Sequence, residues 1–102
     1  MIAFTRFRVG ADGEASFRQL AAAASDFYLT RTGCLSSRVV RSFDDPSLWA
    51  LVSEWEDVGD YRRAYGGYDA KIILTPLLLL ALDEPGGFDS PEAVGVNRPR
   101  LF

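Results

Sequence analysis

The segment Leu48-Trp49-Ala50-Leu51-Val52-Ser53-Glu54-Trp55 reads as a β-strand that is largely apolar on both faces. Leu51, Ser53 and Trp55 point one way, and Leu48, Ala50, Val52 and Glu54 point the other, because strand side chains alternate. A sheet covered on one side only shows a polar outer face. This strand therefore needs two covers, and a chain of 102 residues is too small to provide both. The simplest second cover is the sheet of an identical chain, which makes a homodimer with a barrel-like shared interior.

The rest of the chain supplies the first cover. Ile2 to Val9 reads as a strand stopped by Gly10-Ala11-Asp12-Gly13. A helix is expected from about Glu14, with Phe17, Leu20, Ala21, Ala24 and Tyr28 on one stripe, ending near Thr32-Gly33. Cys34 to Phe43 is expected as a second strand, with Leu35, Val39 and Phe43 on one face and Cys34, Arg38 and Val40 on the other. Asp44-Asp45-Pro46-Ser47 is a turn, since Asp caps it and Pro presets its backbone. After the third strand, Val58, Tyr61, Tyr65 and Tyr68 recur at helical steps as an aromatic stripe, interrupted by Gly66-Gly67. Ile72 to Leu82, apolar nearly all round, is expected as a helix kinked at Pro76 and buried on several sides. Phe88 to about Val94 is a candidate short fourth strand. Residues 1–94 are thus expected as one domain, and 95–102 as a mobile or swapped tail.

The order β-α-β-β-α-β predicts an α+β fold of ferredoxin-like type, a four-stranded antiparallel sheet with helices on one face. With the covering chain it dimerises into an α+β barrel. What such a fold can do is bounded by composition. There is no His and a single Cys, which excludes Ser-His-Asp and Cys-His catalysis, His-ligated iron or zinc, and internal disulfides. The charges, 11 basic against 14 acidic, are spread without blocks, so neither nucleic acid nor a membrane surface is an expected partner. The start lacks the apolar run of a signal peptide, and Leu77 to Leu82 is too short to span a bilayer. A cytoplasmic protein is expected.

The run Asp44-Asp45-Pro46-Ser47-Leu48-Trp49, the strand end Trp55-Glu56-Asp57 and the helix opening Tyr61-Arg62 carry a resemblance. They are similar to the antibiotic biosynthesis monooxygenase family, with its D-D-P-x-x-(W/F) turn, its strand ending x-W-E-(S/D) and its helix opening x-x-(A/D)-(Y/F)-R. The resemblance covers Ile2 to about Phe88 in matching element order. Tyr68-Asp69-Ala70-Lys71 and the stretch from Pro76-Leu77-Leu78 to Asp83-Glu84-Pro85 look like an actinobacterial branch. It implies a dimeric ferredoxin-like barrel with a cleft between sheet and helices in each protomer. Relatives oxidise aromatic phenols to quinones with O2 and neither metal nor flavin, or degrade haem. The family Trp that lines the cleft corresponds to Trp55. Thr5 stands where haem-degrading members carry Asn, and the missing His removes their iron ligand, so haem degradation ranks far behind.

On this reading Trp55 and Phe7 wall a slot, and Trp55 faces a cavity. Tyr65 donates a hydrogen bond to a substrate oxyanion, Arg62 or Arg38 supplies positive charge, and Thr5, Tyr61 and Tyr68 join in binding. No cofactor or metal is expected, and the partners are a second copy, a small aromatic molecule and O2. Each residue also has a plainer role. Trp55 and the tyrosines suit a core, Arg6 and Arg38 suit ion pairs such as with Glu54, Trp49 suits the dimer seam, and Cys34 an inert thiol. No residue in the set is an evident general base. A binding or assembly module that kept the fold without the chemistry is the alternative function.

Overall fold

The strand that is apolar on both faces lies inside the sheet, with a neighbour along each edge. The computed structural model describes residues 1–95. In it β1 (Ile2–Arg8), β2 (Cys34–Arg41), β3 (Leu48–Trp55) and β4 (Gly87–Phe88) form one antiparallel sheet in the order β2-β3-β1-β4. The helices are α1 (Glu14–Leu29), α2 (Val58–Arg63), α3 (Tyr68–Leu78) and α4 (Pro91–Val94). This is the ferredoxin-like α+β arrangement.

Register decides which side chains meet the helices. Ala3, Thr5 and Phe7 of β1 lie opposite Ser53, Leu51 and Trp49 of β3, and residues directly opposite one another share a face. That face is closed by Phe17, Ala21, Ala24 and Tyr28 of α1 and by Ala70, Leu74 and Leu77 of α3. The alanines let α1 approach the strands, and Phe7, Phe17 and Trp49 fill one end with ring centroids 5.1 and 5.4 Å apart. Ile2, Phe4, Val40, Leu48, Ala50 and Val52 occupy the other face of the sheet, where Ile2 is 43% and Phe4 36% exposed.

Several local expectations are corrected. β2 ends at Arg41, and Phe43 lies beyond it, fully exposed. A bulge between Cys34 and Ser36 places Cys34 opposite Trp55 and Ser36 opposite Glu54. The extra residue reverses the alternation, so Leu35 is 58% exposed while Cys34 joins Val39 on the helix side. Gly66 and Gly67 break the aromatic stripe into two helices, with Gly67 at φ 96°, and Tyr68 at the head of α3 is 77% exposed. α3 buries only one face, leaving Ile72 exposed, and it ends at Leu78, short of the expected Leu82, with Leu79 and Leu80 exposed beyond it. The fourth strand is just Gly87–Phe88, paired with Ala3 and Ile2. Ser90 then caps α4 by accepting from the Ala93 amide (3.1 Å), with Pro91 in the first turn, a helix-start signal that overrides a strand. Of the expected tail, residues 96–102 lie outside the described residues.

The β2–β3 turn is held by Asp45. It accepts from Arg8 (2.6 Å), the Ser47 hydroxyl (2.7 Å) and the Ser47 amide (3.1 Å). These donors, Arg8 foremost, lower its pKa to about 2. A carboxylate depressed below its unfolded value of roughly 3.9 stabilises fully above that pH, and the stabilisation is lost as pH falls towards about 2. Asp45→Asn should therefore be less stable than wild type at pH 6, with the gap closing on acidification in urea titrations. A second test concerns Gly33, at φ 84°, where an added Cβ would overlap the Asp60 side chain. Gly33→Ala should lose about 1–3 kcal/mol by chemical denaturation, while Gly13→Ala, whose added Cβ meets nothing, should stay within about 0.5 kcal/mol.

Candidate functional site

Trp55 ends β3 with 1% of its surface exposed. Its indole N–H donates to Ser53 Oγ at 2.8 Å, two positions back on the same face of the strand. Tyr28 of α1 meets the indole edge-on at 5.4 Å, and Tyr61 of α2 at 5.6 Å. Tyr65 closes the ring of four aromatics, 6.1 Å from Tyr28 and 5.1 Å from Tyr61. Its hydroxyl is 2.6 Å from that of Tyr28 and 2.7 Å from that of Tyr61. The four-residue step from Tyr61 to Tyr65 puts both on one side of the α2 turn. Asp57 caps α2 by accepting from the Asp60 amide at 2.8 Å, which sets where that turn begins.

Burial raises the pKa of all three hydroxyls well above the ordinary tyrosine value. They are held as neutral phenols, able to donate a hydrogen bond and unable to act as bases at neutral pH.

Tyr61 also forms part of the wall of a cleft of about 420 Å³, together with Met1, Val58, Arg62, Phe88 and Asp89. The cleft therefore runs between α2, β4 and the start of α4. Arg62 is exposed there, and Asp89 is the carboxylate among the lining residues. Of the candidate residues, the structure brings Tyr61 and Arg62 to one cleft and sets Trp55 and Tyr65 directly behind them.

The others are elsewhere. Trp55 is packed against Tyr28, Tyr61 and Ser53 and is not among the residues lining the cleft beside Tyr61, so tyrosine rings stand where a cavity beside it is expected. Phe7 is fully buried against Phe17 and lies opposite Trp49, six residues along β3 from Trp55, so it walls no slot. Thr5 is half-buried opposite Leu51. Arg38 is exposed opposite Val52, on the helix-free face, and Tyr68 is exposed to solvent. Arg6 pairs with Glu84 through two contacts (2.5 and 2.9 Å) and not with Glu54. Trp49, expected at a seam, is buried on the helix side with the guanidinium groups of Arg18 and Arg41 at 5.0 and 4.6 Å. Cys34 is half-buried, and burial raises its thiol pKa, which makes it a poor nucleophile.

Tyr28 is the member of the site that periodicity cannot single out. It sits on the buried stripe of α1 just as a core residue would, and its hydroxyl partner is 37 residues away in sequence. A polar aromatic at 2% exposure is the available signal, since a buried Tyr hydroxyl usually finds a partner.

The fold and the aromatic cluster beside the cleft define a ferredoxin-like α+β domain with a phenol-lined site and no histidine. Residues 1–65, well over half the chain, match the family described as Antibiotic biosynthesis monooxygenase; the protein belongs to that family. Solved structures share the fold at low identity. A protein from Methanosarcina mazei Go1 is 20% identical over 84% of this chain and 84% of its own, with a TM-score of 0.69. SnoaB from Streptomyces nogalater, a cofactor-independent oxygenase solved as a mutant, is 22% identical over 79% and 82%, with a TM-score of 0.68. Rv0793 from Mycobacterium tuberculosis is 19% identical over 84% and 86%, with a TM-score of 0.66. No curated protein matches the chain. Family membership supports a monooxygenase-type role.

The raised tyrosine pKa values carry a sign. A phenol whose folded pKa exceeds its unfolded value of roughly 10 stabilises fully below that pH and loses this as pH rises. Most tyrosinate absorbance should therefore appear together with loss of the far-UV circular dichroism signal in an alkaline titration. Ionisation of Tyr28, Tyr61 and Tyr65 with the helical signal intact would contradict this.

Proposed function

We propose that the protein is a homodimeric, cofactor-independent monooxygenase that acts in the cytoplasm on an aromatic or polyketide-type phenol with O2. The observation that carries this reading is the hydroxyl chain Tyr28–Tyr65–Tyr61, which ends at a cleft also lined by Arg62. A phenol is a poor electron donor until it is ionised. Asp89 is assigned the role of proton acceptor, and Tyr61, Tyr65 and Arg62 stabilise the resulting anion. The anion then passes electrons to O2. In the net reaction a ring methylene loses two hydrogens and gains one oxygen atom as a carbonyl, while the other oxygen leaves as water. The substrate supplies all four electrons, so no external reductant enters. Val58 and Phe88 offer apolar surface to a planar ring system, and Trp55 fixes the tyrosines from behind. Thr5, Phe7, Arg38 and Tyr68 have no part in this version of the site.

The helix-free face of the sheet supports the dimer. Ile2, Phe4, Val40, Leu48 and Val52 on that face are what a second sheet would cover. Arg38 then meets the partner and not the cleft.

A binding module without chemistry is the second reading. It is favoured by the three hydroxyls being held neutral with no carboxylate among the described residues bonded to any of them.

An anthrone with a free phenol tests both. The expected result is protein-dependent O2 uptake above autoxidation, one O2 per quinone formed. Asp89→Asn should cut the rate at least about tenfold, and Trp55→Phe should lower it less. Anthrone binding with no O2 uptake would leave the binding module as the function. Light scattering at micromolar concentration should give twice the chain mass, and a monomer alone would overturn the dimer.

A further inference from the structure

Three hydroxyls make two contacts in the chain Tyr28–Tyr65–Tyr61. Each contact uses one hydrogen, so one hydrogen is left over. Where it sits depends on burial. Tyr28 is 2% exposed, lies edge-on to Trp55, and has the Tyr65 hydroxyl as its hydrogen-bond partner among the described residues. If Tyr28 accepted from Tyr65, its own hydrogen would be left in the core without an acceptor, the more costly arrangement. Tyr28 therefore donates to Tyr65. Tyr65 is not among the residues that line the cleft, and it passes its hydrogen to Tyr61, which is. The spare hydrogen then falls on Tyr61, where a solvent or ligand oxygen can accept it.

We propose that Tyr28 is a positioning residue: from inside the core it orients the chain Tyr28→Tyr65→Tyr61, so that Tyr61 presents a polarised O–H to an anionic oxygen bound in the cleft. The ligand class is a planar molecule carrying a phenolate or enolate oxygen. Each donor in such a chain is strengthened by the one behind it. Arg62 on the same cleft adds positive charge. An asymmetric chain favours the ionised ligand over the neutral one, which a purely apolar slot does not do. The ligand assignment rests on the function proposed above, whereas the direction of the chain rests on the burial of Tyr28 and on Tyr61 lining the cleft where Tyr65 does not.

Two readouts separate these. In the unliganded protein labelled with carbon-13 at the tyrosine Cζ, Tyr28→Phe keeps the ring and removes the hydroxyl. It should move the Cζ resonances of both Tyr65 and Tyr61; a Tyr61 resonance that stays in place overturns the relay. The second readout is alizarin, a hydroxyanthraquinone whose visible absorbance reports ionisation of its phenol. Wild type should bind the ionised form more tightly than the neutral form. Tyr28→Phe and Tyr65→Phe should each weaken binding of the anion by about threefold to tenfold and leave the neutral form unchanged. Tyr28→Phe in a Tyr61→Phe background should have no further effect on that preference. Equal weakening of both forms, or an effect that persists without the Tyr61 hydroxyl, assigns Tyr28 a packing role and overturns the proposal. A moved Tyr61 resonance in a protein with no preference for ionised alizarin keeps the relay and rejects the oxyanion site.

Discussion

β3 is committed in every direction available to a strand. Its backbone is paired with β1 on one edge and β2 on the other, and Trp49, Leu51, Ser53 and Trp55 are buried against the helices. Moving it by one residue would exchange its two faces, driving Glu54 into the core and both tryptophans out of it. That outcome is so unfavourable that the register of the whole sheet is in effect set here. The turn that leads into β3 and the helix that follows it inherit their positions. α2 starts three residues after Trp55, which is why Tyr61 reaches back to the indole.

Much of this is legible in the amino-acid sequence, for physical reasons. The bounds of β3 follow from apolar residues on both faces between a proline turn and an acidic cap, and the body of α1 follows from its period. The family motif lies across the same stretch. What escapes are features with no periodic trace. The bulge at Leu35 adds a single residue, and alternation read through it assigns Cys34 and Leu35 to the wrong sides. Tyr68 keeps the helical spacing of Tyr61 and Tyr65, yet Gly67 rotates it off their face. The Ser90-Pro91 start signal is present but is masked by the apolar Ala93 and Val94, which suit a strand equally well. The site is less legible than the fold. Arg62 and Tyr61 can be named from motif position, but the hydroxyl chain depends on a contact between α1 and the α2 turn that no local pattern encodes.

Lacking His, the protein has no side chain that titrates between the carboxylates and the phenols apart from its one thiol. The site reflects this. Its tyrosines are locked in the neutral form by burial, so their contribution is directional hydrogen bonding and not proton storage. A substrate that carries its own ionisable phenol suits such a site, because the ligand then brings the missing titratable group. With only a carboxylate to serve as base, the site constrains the ligand as much as the protein.

The two aromatic groups at the ends of β3 differ in kind. Phe7, Phe17 and Trp49 present no hydroxyl, and Trp49 lies beneath two guanidinium groups, while Trp55 meets two phenols, Tyr28 and Tyr61, both hydrogen-bonded to a third, Tyr65. Six residues of strand separate them, roughly 20 Å, far enough for substitutions at one end to act independently of the other. One end can therefore carry the folding free energy while the other drifts in chemistry. A lineage built on this domain could exchange its phenols for other polar groups, and so its ligands, with little penalty to the scaffold.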